Sequence, residues 1–555
     1  MHTNAALIAA VGLAAACTTT LGQTTKIATV SDADAEIAGM LTITDGSSRS
    51  PAIANDAGNG HRAINQMPGF PITIGRHPNF APFRGTVLAD LDGQPGLEIL
   101  QSATDGKLHA WHNDGTPVAG FPVTTTGFPQ YPPSVADLDG DGDAEIVFST
   151  RGITSGGRLY AIDHTGAPLP GFPVSISNRN VECSPVLYDL DGDGQLEIIA
   201  QTRAYPIGYI HVFEMNGSEW GGNWPFAMSH VPTCTPGVAD IDNDGLPELF
   251  TMSYDQMYLL TAAGTPEAGW PRTIANASFS YQSPALADLD GDGDLEITIA
   301  CHKDAAGTYV FHHDGTLASG WPQSFDTWSY CAPTVTDLEG DGDPEIIAGQ
   351  AGIFFGYSDC FWVWDAAGNT RSGFPYADPI NGGGSEGPLT VADIDGDDTL
   401  EIFADHNIMA SDMGFLYGVD AAGNDLPDFP LRPHGFTYLN SATVADVDGN
   451  GTYELAVLSY YDGGCDVNLY TLPGSYTVTG REWPTYHARN THDGLYAPDD
   501  GCYADFNGDG AVNTIDVLAF LNAWATSDPA ADCDGSGTIN TIDVLCFLNA
   551  WAAGC

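Results

Sequence analysis

The residues best suited to chemistry in this chain are carboxylates set at alternate positions. In Asp288-Leu289-Asp290-Gly291-Asp292-Gly293-Asp294-Leu295-Glu296 five acids occupy every second place of a glycine-containing stretch. A tight loop of that sequence aims several carboxylate oxygens at one point, where they repel one another unless a cation joins them. Calcium suits such a point, because it takes six to eight oxygen ligands and accepts a bidentate carboxylate. The pattern recurs eight times, each copy with a Glu eight residues after its first Asp and then Ile or Leu. The candidate ligands are Asp90, Asp92 and Glu98; Asp137, Asp139, Asp141 and Glu145; Asp189, Asp191, Asp193 and Glu197; and Asp240, Asp242, Asp244 and Glu248. The later copies supply Asp288, Asp290, Asp292 and Glu296; Asp337, Glu339, Asp341 and Glu345; Asp393, Asp395, Asp397 and Glu401; and Asp446, Asp448, Asn450 and Glu454.

The interval between copies, 47 residues from Asp90 to Asp137 and 56 from Asp337 to Asp393, suits one four-stranded propeller blade. A second mark recurs with it. An aromatic-proline pair stands at Phe70-Pro71, Phe121-Pro122, Phe172-Pro173, Trp224-Pro225, Trp270-Pro271, Trp321-Pro322, Phe374-Pro375, Phe429-Pro430 and Trp483-Pro484. Between each of the first seven loops and the next pair lies a glycine turn, for example Asn113-Asp114-Gly115 or Ala366-Ala367-Gly368, as a tight strand connection requires. One repeat therefore reads as strand, acidic loop, strand, strand, turn and outer strand. The aromatic ring, at the same place in every repeat, is expected to pack between blades. Nine pairs around eight loops predict an all-β, eight-bladed ring whose last blade takes strands from both ends of the chain, a closure that removes exposed sheet edges. Seven blades, with one degenerate repeat outside the ring, is the alternative.

Composition agrees with a large, turn-rich β protein: 555 residues, 43% hydrophobic, with 66 Gly and 36 Pro. A net charge of -56, from 72 acidic against 16 basic residues, argues against nucleic acid or an anionic membrane as partner. Residues 5–16 form an apolar run too short to span a bilayer and suited to a signal-peptide core, although no Lys or Arg precedes it. Cleavage is expected near Gly22-Gln23, with a lipoprotein signal ending at Cys17 as the alternative. No later apolar run is long enough to span a membrane, and the expected location is the cell exterior or surface. Without Cys17 ten cysteines remain, an even number consistent with disulfides. Cys183, Cys234 and Cys331 each stand six residues before a loop's first Asp; none forms a zinc pattern, and they are expected to be buried or disulfide-bonded.

The acidic loops, Asp189-Leu190-Asp191-Gly192-Asp193-Gly194-Gln195-Leu196-Glu197 among them, resemble those of FG-GAP or VCBS repeats, the family whose propellers include the head of integrin α subunits. The resemblance runs from about Gly69 to Tyr496. It implies calcium held by positions one, three, five and nine, with a backbone carbonyl at position seven. Glu replaces the more usual Asp at the ninth place throughout. Gln94 replaces the fifth-position acid of the first loop, which is expected to bind weakly or not at all. Asn450 makes the same replacement in the last loop, and Glu339 takes the third place of the sixth. The segment Glu482 to Tyr496 resembles the closing stretch of secreted bacterial proteins of this type, and is expected to be a terminal packing strand.

After a linker at 498–501 the pattern changes to a duplicated loop and helix. Asp505, Asn507, Asp509, Asn513 and Asp516 occupy positions 1, 3, 5, 9 and 12 of an EF-hand-like loop, and Asp532, Asp534, Ser536, Asn540 and Asp543 repeat it. Val517, Phe520, Leu521 and Trp524, then Val544, Phe547, Leu548 and Trp551, fall on one face of a helix after each loop. Two such units resemble a type I dockerin, and the Gly554-Cys555 ending matches dockerin-like tails of secreted bacterial proteins. The resemblance implies a cohesin-like partner read by Thr514 and Ile515 and by Thr541 and Ile542. The expected organisation is a signal peptide (1–22), a leader (23–61), the propeller (62–497), a linker (498–501) and the dockerin-like domain (502–555).

Sequences that suggest catalysis do not assemble into a site. Gly383-Gly384-Ser385-Glu386-Gly387 matches GxSxG, but a strand rather than a helix is expected after it, unlike a nucleophile elbow. His312-His313 sits at a turn and reads as surface. Leu159-Tyr160-Ala161-Ile162-Asp163 faintly resembles quinoprotein propellers. The chain reads as a secreted calcium-binding interaction module for a protein or glycan. An extracellular polysaccharide lyase is the alternative, since some lyases are calcium-bearing eight-bladed propellers. The chain has no basic cluster to grip an acidic polysaccharide.

Overall fold

The computed structural model describes residues 64–496 with short breaks, the longest at 352–358 and 406–413, together with strand pairs at 29–30 and 41–42 and parts of 517–553. Each acidic loop joins a short apolar strand to a longer one. In the third repeat Val186–Tyr188 leads into the loop, Glu197–Ala204 leaves it, Ile207–Phe213 returns, and Phe226–Met228 forms the outer edge, all antiparallel. The second strand is buried on both faces over most of its length, as expected of a sheet packed between two others.

Eight blades form the propeller, and the seven-bladed alternative is excluded. Six of them have four or five strands; the fourth and seventh have three plus an outer segment held by a single bridge, Met257 to Arg272 and Leu416 to Leu431. The eighth blade takes its inner strands, Ala442–Ala445, Glu454–Tyr461 and Gly464–Thr471, from the far end of the propeller and its outer strand, Ile72–Ile74, from the beginning. This is the closure expected from the count of aromatic-proline pairs. The seam is also tied on the inside, where Thr443 Oγ1 donates to Thr86 O at 2.6 Å.

The core is divided into apolar wedges between neighbouring blades. One wedge, for instance, joins Val147 and Leu159 of the second blade to Leu187 and Ile198 of the third. Eight of the nine aromatic-proline bonds, Phe70-Pro71 through Phe429-Pro430, are cis. Their rings are buried or half-buried at these wedges, as the sequence predicts. Where the ring is Trp, its indole N–H reaches across: Trp224 to Ala262 O at 2.9 Å, Trp270 to His313 O at 2.7 Å and Trp321 to Ala366 O at 2.9 Å. The glycine before the pair lets two backbones touch. Gly171 has φ +94° and lies against the Asn216 carbonyl of the next blade, so a Cβ there would overlap that oxygen.

The ninth pair departs from the expectation. Trp483-Pro484 belongs to no outer strand. It lies in residues 481–496, which fill the middle of the ring and bond to the innermost strand of every blade. Asn490 Nδ2 donates to Leu88 O at 2.9 Å. Val135 N donates to Asn490 O, Leu187 N to Thr491 O, Val238 N to Asp493 O and Leu286 N to Gly494 O, at 2.9–3.1 Å. Arg481 Nη1 donates to Asp337 O at 2.7 Å, Trp483 and Val391 exchange backbone bonds, and Val444 N donates to Pro484 O. The expected packing role holds, but the segment is a central plug rather than a blade strand. The inner strands leave N–H groups facing the axis, and the plug supplies the carbonyls that satisfy them.

In the C-terminal region the helix Thr541–Ala553 follows the second EF-hand-like loop. Phe520 and Phe547 stack with centroids 4.2 Å apart and are fully buried, and Val517, Trp524, Val544 and Trp551 pack around them. Leu521 and Leu548, expected on the same face, are each 39% exposed and lie at its margin. Among the described residues no helix is long and apolar enough to cross a membrane.

Candidate metal loops

The loops are organised by their first Asp and their ninth-position Glu. In the third loop Asp189 Oδ1 accepts Gly192 N and Oδ2 accepts Gly194 N, both at 2.8 Å, while Asp193 Oδ1 accepts Gln195 N at 2.9 Å. Positive φ at Gly192 and Gly194, 74° and 84°, lets the chain wind around the carboxylate. Asn243 takes the first of those places in the fourth loop with φ 55°, and Asp398 the second in the seventh with φ 71°, as short polar side chains can.

The ninth residue does the same thing in all eight loops. Oε2 of Glu98, Glu145, Glu197, Glu248, Glu296, Glu345, Glu401 and Glu454 accepts the backbone N–H of the residue after the first Asp, at 2.8–3.0 Å. The Glu arm ties the two ends of the loop, leaving Oε1 for another partner. Every one of these carboxyl groups is buried. Burial pushes Glu197, Glu345 and Glu454 up to about 7 and Glu248 and Glu401 up to about 8, opposed by the N–H bond and reinforced by neighbouring loop aspartates.

Carboxylate oxygens converge within 4.8 Å in the sets Asp90, Asp92 and Glu98; Asp189, Asp191 and Glu197; Asp240, Asp242 and Glu248; and Asp288, Asp290 and Asp292. The Asp90 loop, expected to be the poorest, thus brings three of its acids together. Asp242 Oδ1 is buried without a hydrogen-bond partner, as an oxygen waiting for a cation would be. The sixth to eighth loops keep the same turn: Asp337 Oδ1 accepts Gly340 N and Asp393 Oδ1 accepts Gly396 N, both at 2.7 Å, and Asp446 accepts Asn450 N at 3.0 Å and Gly451 N at 2.9 Å. The donor set of clustered carboxylates fits a hard divalent cation. Asp139 and Asp141 lie outside the described residues, as do the C-terminal loop positions 505–516 and 532–540, and with them Thr514 and Ile515. Thr541 opens the C-terminal helix and is exposed; Ile542 and Asp543 follow it there.

Sequence reasoning missed the basic groups that meet these loops. His312 does not stand alone at the surface: its Nδ1 lies 2.9 Å from Glu296 Oε1, within reach of Asp290, and His313 Nε2 lies 3.1 Å from Asp294. His112 makes the same contact with Glu98 Oε1 at 3.0 Å in the first blade. In the sixth blade Arg371 pairs with Glu339 and, at 2.9 Å, with Glu345 Oε1. These partners come from the hairpin between the third and outer strands, more than ten residues beyond the loop. Aligning that hairpin across repeats would have exposed them.

Within the ring the cysteines take the buried alternative rather than the disulfide. Cys234, Cys301, Cys331 and Cys465 are buried free thiols in the wedges, where burial pushes them up to about 11 or 12. Cys183 is buried too, its sulfur accepting Gln201 N at 3.2 Å. In the C-terminal region Cys546 is disulfide-bonded.

The described residues show no clear catalytic signature. Ser385 is fully buried and donates to Asp405 Oδ1 at 2.9 Å, so it is no exposed nucleophile. Between the second and third blades a cavity of about 450 Å³ is lined by Ile176, His211, Phe213 and Glu219. His211 there lies between Thr202 Oγ1, at 2.8 Å, and Glu219, at 2.6 Å. The order hydroxyl, imidazole, carboxylate is that of a triad, but Thr202 is fully buried within the sheet and does not line the cavity.

Residues 189–251, 240–299 and 288–348 match the FG-GAP-like repeat, and residues 503–550 match the dockerin type I domain. No curated protein matches the chain. Similar solved structures include the V. cholerae biofilm matrix protein Bap1, at 14% identity over 81% of this chain and 96% of that one, with a TM-score of 0.43. Rhamnogalacturonan lyase YesW is similar at 15% identity over 79% and 82%, TM-score 0.45. The quinohemoprotein alcohol dehydrogenase of Comamonas testosteroni is similar at 12% over 75% and 77%, TM-score 0.45. Likenesses this distant carry no activity across. By its own matched segments, the chain is a propeller containing FG-GAP-like repeats joined to a C-terminal dockerin type I domain.

Proposed function

We propose that the protein is an exported interaction module: a calcium-stiffened propeller that presents its surface to a protein or glycan, tethered through its dockerin type I domain. The observation that carries this reading is a ring of converging acidic loops on the same chain as a tethering domain. The ions are calcium, held in the propeller by loop positions one, three, five and nine. In the tail they are held by Asp505, Asn507, Asp509, Asn513 and Asp516 and by Asp532, Asp534, Ser536, Asn540 and Asp543. Support for calcium over a softer metal is the all-oxygen donor set. The signal peptide ends near residue 22, a leader follows over 23–61, the propeller spans 62–497, and after a linker at 498–501 the tail begins at 502. A cohesin-like module is the partner for the tail, met by Thr514, Ile515, Thr541 and Ile542.

The test is capture of the whole protein on a panel of immobilised cohesin modules, in calcium and in EGTA. Calcium-dependent retention by at least one cohesin, abolished when Thr514, Ile515, Thr541 and Ile542 are all replaced by Asp, is expected. Equal retention of wild type and variant would overturn the assignment of the tail's contact residues.

A further inference from the structure

Two departures from the repeat pattern fall in the same blade. The sixth loop alone has Glu at its third position, Glu339, where the other seven have Asp. Arg371 stands three residues after the turn glycine Gly368, and its N–H donates to Val363 O. The corresponding residues, fixed by the same backbone bond in six other blades, are Val118, Leu169, Trp220, Glu267, Ala318 and Leu426. None of them is basic. The longer Glu339 arm and the guanidinium meet, and the second guanidinium nitrogen lies 2.9 Å from Oε1 of the buried Glu345. That oxygen is the one left over once Oε2 has tied the loop.

A second guanidinium flanks the same loop. Arg481 of the plug donates to Asp337 O at 2.7 Å, with Nη1 3.8 Å from Asp337 Oδ1. Its Nη2 meets Asp398 Oδ1 of the seventh loop at 3.0 Å. It packs so closely on Gly340 that a Cβ there would come within 2.9 Å of Nη1. Three of the loop's four candidate ligands, Asp337, Glu339 and Glu345, thus face fixed positive charge. A divalent ion bound there would sit beside a guanidinium that already holds two of its ligands, and would have to displace it.

We infer that the sixth loop is closed by Arg371 in place of calcium, so that the ring carries an internal cation at one blade and metal ions at the others. The inference rests on the calcium reading of the other loops. With a permanent cation, this blade and its junction with Arg481 keep their geometry when calcium is scarce, giving the ring one blade that does not loosen on chelation.

The test compares wild type, Arg371→Gln and the double variant Glu339→Asp/Arg371→Ala, each full length and stripped of metal. Calcium bound per chain is counted by equilibrium dialysis with elemental analysis. The double variant, which restores the pattern of the other loops, should bind one more ion than wild type, and Asp341→Asn in the wild-type background should not lower the count. A count that falls by one on Asp341→Asn, with no gain in the double variant, would overturn the inference. Should wild type bind no calcium, the calcium reading itself fails, and the ion pair is judged by a second readout. In EGTA, Arg371→Ala and Glu345→Gln should lower Tm by less together than the sum of their separate effects; simple additivity would overturn the pairing.

Discussion

At the scale of single residues, the ninth-position Glu is the most repeated device in the chain. It bonds a backbone N–H with one oxygen and offers the other to whatever closes the loop. Replacing Glu248 by Ala removes the buried hydrogen bond that its carboxyl accepts from Ile241 N and is expected to cost about 1–3 kcal/mol even without metal, measured by denaturant unfolding in EGTA. A different titration bears on acid stability. His302 is buried with Nδ1 unpartnered, and burial, helped by Lys303, holds its imidazole down to about 3. The folded protein therefore binds fewer protons at this site than the unfolded chain. This contribution to stability is complete above pH 6.5 and is lost as the pH falls from there towards about 3. The imidazole of His302 should remain neutral at pH 5 by NMR, and His302→Gln should flatten the acid limb of the stability curve. A His302 that titrates near 6.5 would contradict its burial.

At the scale of elements, closure of the ring and the plug do different jobs. The outer strand Ile72–Ile74 covers the edge of the last blade, and residues 481–496 bind all eight inner strands at once. Trp483 is 1% exposed in the wedge shared by the fifth to seventh blades, so Trp483→Ala should cost about 3–5 kcal/mol in unfolding free energy. Gly171→Ala should destabilise by at least ~1 kcal/mol, because both its φ of +94° and the Asn216 carbonyl oppose a side chain. Blade number and seam were legible in the sequence because loop and aromatic-proline pair recur in strict order. The plug was not, because Trp483-Pro484 imitates a blade's mark while the segment that carries it bonds to residues hundreds of positions away, Asn490 to Leu88 among them. The basic partners His112, His312 and Arg371 were obscured for a similar reason: a repeat read one loop at a time does not show what its own hairpin folds back onto it. The free thiols of Cys234 and Cys331 show the limit of counting, since an even total says nothing about which sulfurs share a compartment of the fold.

At the scale of the whole molecule, the charge of -56 is concentrated by design. Eight loops gather carboxylates, from the buried ninth-position Glu to exposed aspartates, at the same end of every blade, each between the innermost strand and the next. Proximity of that kind opposes folding unless the charge is answered. Three answers are visible: backbone N–H groups from within each loop, the imidazoles of His112 and His312, and the guanidinium groups at the sixth loop. In every loop but the sixth a divalent ion is the further answer proposed, and its binding to the folded form alone stabilises that form by mass action. The measurement that tests this most directly is the number of calcium ions retained per full-length chain at equilibrium. The C-terminal region has two EF-hand-like loops and can account for two ions. A count well above two is predicted, falling by one with Asp240→Asn/Glu248→Gln; two ions or fewer, unchanged by those substitutions, would contradict the account.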